Sequence, residues 1–118
     1  MNKKVKILGT DYKLQTNVPV TKDKDLADRF GYCSFIDHRI VVADLNGVEG
    51  WANETEDVKA SLIKTTLRHE IIHAFLYESG LYGSSNSVWQ WALNEEMVDY
   101  FAIQFPKMVE VFKRAGCL

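Results

Sequence analysis

The stretch KTTLRHEIIHAFLY, residues 64–77, decides how this chain is read. Leu67, Ile71, Ile72, Phe75 and Leu76, with Leu62 and Ile63 just upstream, recur at helical spacing and leave little polar surface apart from one pentad, His69-Glu70-Ile71-Ile72-His73. Apolar residues on more than one face predict a helix that is largely buried. On a helix, positions i and i+4 project from one face one turn apart, so His69 and His73 can converge on a single zinc ion at about 2.0–2.1 Å. Glu70 lies on the same side, within reach of a water at that ion, where a carboxylate can act as a base. The bland alternative is a pair of hydrogen-bonded core histidines with Glu70 facing solvent. The chain has 3 histidines, and the pentad holds two of them, which weights the metal reading.

A second stretch, WALNEEMVDYFA at residues 91–102, supplies what the pentad lacks. Two histidines and one glutamate form an established catalytic zinc set, with an open position left for water. Glu95 and Asp99 are one helical turn apart, so one carboxylate can bind the metal while the other accepts the N–H of a ligating histidine. Glu96 is a weaker choice of ligand because its i+4 position is Tyr100. The competing reading of Glu95 and Asp99 is a solvated acidic helix face.

H-E-x-x-H followed by N-E-x-x-x-D resembles the gluzincin clan of zinc metallopeptidases, the thermolysin-like group, and in particular its short members, the minigluzincins. The resemblance implies that His69, His73 and Glu95 ligate Zn2+, that Glu70 is the general base, and that Asp99 supports a ligand, His69. It also implies an α+β fold: a minimal zincin-like domain in which a small antiparallel or mixed sheet packs on a long zinc-binding helix and two C-terminal helices. The strand at residues 39–44 would border the cleft and hold a peptide or protein substrate as an added strand, although an ordinary sheet strand reads equally well. Tyr77, Tyr82 and Tyr100 are all candidates to steady an oxyanion. The metzincin pattern does not fit, since Leu76 and Ser79 stand where it needs glycine and histidine. The rival function is a zinc-binding regulatory or interaction protein without peptidase activity.

Composition bounds the rest. A chain of 118 residues, 47% hydrophobic, reads as one domain over residues 1–118 with enough apolar mass for a core. A net charge of −2 without a long run of like charges gives no reason to expect nucleic acid or an anionic membrane as partner. The apolar run near the start is too short for a signal peptide, so a cytoplasmic protein is expected. No segment reaches the ~20 apolar residues of a membrane span. Cys33 and Cys117 read as thiols rather than a bridge, with a tail that returns Cys117 to the metal as a minor alternative. Composition carries no reading of the oligomeric state.

Along the chain, residues 4–8 and 12–20 read as strands joined by a turn at 9–11, with Pro19 marking an edge or an end. Residues 21–30 read as a short helix stopped by Gly31. Residues 32–36 and 39–43 form a hairpin about Asp37-His38, with His38 an exposed turn residue. The long helix is expected from Glu54 to Ser79, capped by Asn53 with Glu56 in capping-box spacing, and ended by Gly80. After a polar loop at 80–87, a helix capped by Asn86 or Ser87 carries Trp89 and Trp91 into the core or under the loop, with a substrate pocket wall as the sharper alternative, breaks or kinks at Pro106, and is followed by a last helix at 107–114 ending at Gly116.

Overall fold

The computed structural model describes residues 2–85, 90–115 and 117–118, the side chains at 111 and 112 excepted. Asn86, Ser87, Trp89 and Gly116, to which caps, a core tryptophan and a helix stop were assigned above, lie outside the described residues. Within them the architecture is α+β. A mixed four-stranded sheet, in the order β1-β2-β4-β3, is built from β1 (Asn2–Ile7), β2 (Thr10–Val18), β3 (Gly31–Ser34) and β4 (Arg39–Ala43). The helices are α1 (Glu56–Glu78), α2 (Leu81–Ser84) and α3 (Glu95–Ala115).

The period of two along β2 is realised, with Tyr12, Leu14 and Thr16 buried and Asp11, Lys13 and Asn17 exposed. Its turn with β1 is tighter than the expected 9–11. Ile7 pairs with Thr10, and Leu8 (φ 47°) and Gly9 (φ 89°) form a two-residue connection with both residues left-handed, the twist that suits antiparallel strands. β2 is an inner strand and ends at Val18, so Pro19 terminates it rather than marking an edge.

The helix expected at 21–30 reduces to one 3-10 turn, Lys24–Leu26. Of this segment only Leu26 is buried, too little apolar contact to offset the cost of nucleating a helix. Asp23 caps the turn and also accepts the Tyr32 hydroxyl at 2.6 Å, which ties the segment to β3. Asp28 then turns left-handed (φ 61°) and leads the chain into β3. The β3–β4 hairpin forms, with Ser34 opposite Arg39 and an exposed His38 at φ 50°.

Gly31, expected to stop a helix, instead opens β3, and its lack of a side chain is a packing requirement. A Cβ there would lie 2.8 Å from the Val41 carbonyl oxygen and 2.9 Å from the Thr66 methyl carbon. Only glycine lets β3 approach α1 this closely.

α1 is capped by Thr55, whose side chain accepts the Val58 N–H at 3.3 Å, not by Asn53. Asn53 sits in a preceding turn whose carbonyl at Ala52 is claimed by the buried Lys59 ammonium, which also reaches Asn46 at 2.6 Å. At the other end Gly80 (φ 86°) follows Ser79 as expected. Glu78 accepts the hydroxyls of Tyr12 (2.7 Å) and Thr10 (3.0 Å), fixing the end of α1 to β2. Ile7, Tyr12, Leu14, Ile40 and Ala74 form the core between sheet and α1. Leu26, Tyr32, Val41 and Ala43 form a second cluster. Leu76, Ala92 and Val98 join α1 to the C-terminal elements.

Of the break or kink expected at Pro106, the break does not occur: α3 runs through it. Proline has no N–H, so the carbonyl four residues earlier, at Ala102, loses its helical partner. Arg68 of α1 donates its Nε–H to that carbonyl and a terminal N–H to Thr65 at 3.2 Å. The substitute bond lets the helix continue and locks α3 to α1 beside His69. Arg68→Ala should therefore cost about 1–3 kcal/mol, because the buried Ala102 carbonyl is left unmatched. In a Pro106→Ala background the restored N–H at 106 takes over and the cost should shrink. Denaturant unfolding of the double-mutant cycle measures this coupling, and equal costs in both backgrounds would refute it.

Candidate metal centre

His69, Glu70 and His73 form a group able to hold a metal ion, with one ligand atom from each lying within 4.8 Å of the others. The buried seam of α1 explains why they converge. Glu70 and Ala74 face the sheet side, and the histidines stand beside them where the start of α3 crosses. Asn94 sets that crossing: its side chain accepts the Met97 N–H at 2.9 Å, capping α3 so that Glu95 is in the first turn.

Both histidines point Nε2 inward, 3.0 Å apart, and Oε2 of Glu95 lies 3.2 Å from Nε2 of His69 and 3.3 Å from Nε2 of His73. For tetrahedral zinc bound at about 2.0–2.1 Å, donor atoms stand about 3.3–3.4 Å apart, so the triangle has a suitable size. Asp99 lies 2.7 Å from Nδ1 of His69. A proton on Nδ1, donated to that carboxylate, leaves the Nε2 lone pair facing His73 and Glu95. Burial pushes the His73 pKa below its ordinary value, with the Glu95 charge opposing, so this imidazole favours its neutral form. Three acceptor atoms facing one another at these distances need a cation or a shared proton between them, and the donor set fits a metal. Glu96 is exposed at the mouth of the cleft. Asp99→Asn should weaken metal binding by about 10–100-fold with the fold intact. Competition with a chromogenic chelator measures this, and an unchanged affinity would remove Asp99 from the role.

Glu70 is 8% exposed. Burial is the main cause that lifts its pKa to about 7; Glu95 and Asp99 add to the rise, while His69 and Arg29 oppose it. A carboxyl poised near neutrality is suited to proton transfer. Cys33, beside it on β3, is pushed up to about 12, by burial first and then by the charges of Glu70 and Glu78, so it remains an inert thiol. No disulfide joins it to Cys117, and Cys117 is exposed and outside the cleft lining.

The site opens into a cleft of about 820 Å³. Gly31, Tyr32 and Cys33 of β3 border it on one side and Leu93 to Glu96 on the other. The expectation that the 39–44 strand borders the cleft is overturned by strand order. β4 lies between β2 and β3, its backbone committed to both, and the outer strand on the cleft side is β3. The polar loop expected at 80–87 contains the short helix α2, which brings Tyr82 into the lining. Tyr82 and Phe35, at 4.9 Å between ring centroids, face each other there, while Tyr77 stacks on Phe35 at 4.3 Å. Tyr100 instead borders a separate groove with Trp91. Trp91 is 56% exposed, neither a core residue nor part of the cleft wall. Arg29 and Gly31 are the site residues that sequence reasoning missed. Arg29 belongs to no motif, and Gly31 carries the same signal as a helix stop.

No helix among the described residues is long and apolar enough to cross a membrane. Comparison with protein-family models, curated proteins and solved structures finds no match to this chain.

Proposed function

We propose that this chain is a zinc-dependent metallopeptidase of gluzincin type, built on a minimal zincin-like fold, with His69, His73 and Glu95 as ligands and Glu70 as general base. The observation that carries the reading is the donor triangle of 3.0, 3.2 and 3.3 Å closed by a carboxylate from a second helix, next to a buried glutamate. Bound there, zinc would supply a Lewis acid that acidifies water toward a pKa of about 7 and polarises a carbonyl oxygen.

The chain's own residues divide the remaining work. Ionised Glu70 takes a proton from the attacking water as its oxygen bonds to the carbonyl carbon, and returns that proton to the amine nitrogen as the C–N bond breaks. Asp99 holds His69 in the tautomer that turns Nε2 inward. The unpaired edge of β3 offers backbone groups to an extended peptide, which would lie across the cleft as an added strand. Of the three tyrosines, Tyr82 alone lines the cleft, and we assign it the oxyanion contact.

The test is metal analysis of the purified protein with cleavage of casein and a peptide library, before and after chelation and with zinc restored. Zinc bound near one equivalent with chelator-sensitive cleavage supports the reading. Metal bound without cleavage of any substrate would leave a metal-binding regulatory protein, and no metal bound would end both.

A further inference from the structure

The charge around the cleft is uneven. Its acidic side chains are Glu70, Glu95 and Glu96, and its only cationic side chain among the described residues is Arg29. Arg29 is exposed, and its charge acts on Glu70 through space without a hydrogen bond or ion pair to it among the described residues. The backbone that carries it is anchored. The Arg29 N–H bonds the Leu26 carbonyl at 3.3 Å, the Phe30 carbonyl accepts the Ala43 N–H at 2.8 Å, and the Phe30 ring meets Trp51 edge-on at 5.6 Å. Asp28, directly before it, has the left-handed φ of 61° that turns the chain toward β3. A second recess of about 400 Å³ is lined by Arg29 and Glu70 as well, together with Thr65 and Asp99, so Arg29 borders both spaces.

β3 runs along the cleft, which puts Arg29, just before it, and Phe35, just after it, at opposite ends. Gly31 lies against Glu70: a Cβ built on it would lie 3.6 Å from the Glu70 Cγ. At about 3.3 Å per residue, Arg29 is about two residues beyond that point along a strand-like ligand. An acidic side chain beside the metal-site residues would meet the carboxylates of Glu70, Glu95 and Glu96, and at the Phe35 end the rings of Phe35 and Tyr82, whereas at the Arg29 end it meets a guanidinium able to bind a carboxylate with two parallel hydrogen bonds.

We infer that Arg29 is a specificity-determining residue which selects peptides carrying Asp or Glu about two residues from the bond beside Glu70, at the β3-entry end of the cleft. The inference rests on the peptidase reading and names its substrate class. A charge-assisted contact of this kind is worth roughly 10–100-fold in affinity.

The experiment compares the wild type with Arg29→Lys, Arg29→Ala and Arg29→Glu, all at an exposed position. Cleavage sites in a proteome-derived peptide library are mapped by mass spectrometry. The wild type and Arg29→Lys should show enrichment of Asp and Glu at one position on one side of the bond, Arg29→Ala should lose it, and Arg29→Glu should exchange it for Lys and Arg. Binding is read separately, by fluorescence anisotropy of a labelled Glu-containing peptide and its Gln counterpart on zinc-loaded Glu70→Gln protein with and without Arg29→Glu. If nothing is cleaved, the peptidase reading fails, while a roughly 10-fold or greater preference for the Glu peptide that Arg29→Glu abolishes still supports the role of Arg29. Cleavage without acidic enrichment, or equal binding of the two peptides, overturns the inference and leaves the peptidase reading standing.

Discussion

Replacing Glu70 with glutamine is expected to leave zinc content unchanged and to lower peptide hydrolysis by about 10²–10⁴-fold, the usual contribution of a positioned general base. Glutamine keeps the shape of the side chain and its place against Gly31, but it cannot take a proton. The measurement is kcat/KM on the best library peptide together with metal per chain. Loss of zinc with loss of activity would make Glu70 a ligand instead of a base.

The same substitution has a second readout in the metal-free protein. The folded Glu70 carboxyl, held by burial, keeps its proton up to about pH 7, against an ordinary value of 4.5. Between those values the folded state binds more protons than the unfolded one, so stability falls as pH rises through this window. The wild-type chain thus carries the cost of an ionised buried carboxylate above neutrality, and glutamine does not. Metal-free Glu70→Gln should be more stable than the metal-free wild type at pH 8 by up to about 3 kcal/mol, with the gap closing toward pH 4.5. Urea unfolding at a series of pH values checks the sign. A gap that widens as pH falls would contradict it.

Glu95→Ala should have the largest effect on metal binding, exceeding the 10–100-fold expected from an outer-shell change such as Asp99→Asn. The carboxylate is 64% exposed and pairs with His69 and His73, so its removal takes away a donor without opening a core cavity. The fold should persist, with near-unchanged circular dichroism and denaturation midpoint in the absence of metal. Zinc affinity is read by chelator competition. An affinity within a few-fold of the wild type would mean that His69, Glu70 and His73 hold the ion without help from α3, and the proposed division between ligand and base would fail.

The two predictions draw on parts of the molecule that were unequally legible. The pentad and the carboxylate pair at Glu95 and Asp99 could be read because both depend on spacing within one helix. The contact between those helices could not, because it depends on Asn94 capping α3 and on Arg68 meeting Ala102. Pro106 shows the difference. Its missing N–H is a local fact that predicts a break, and the donor that removes the need for one comes from another helix. Likewise Asn53 has good capping chemistry, but the tertiary contacts of Lys59 hold its neighbour Ala52 in a turn, and the cap falls to Thr55.

Periodicity and residue spacing, which act over one or two helical turns or along one strand, determined by themselves the long helix, the alternation of β2 and the placing of His69 and His73 on one helix face. Tertiary structure decided which strand is left at the sheet edge, that Gly31 is needed for close approach, and that Arg29 faces the cleft. Strand order and side-chain convergence are set by pairings between residues far apart in the chain, whose free energy depends on what packs beside them, and no local pattern carries that information.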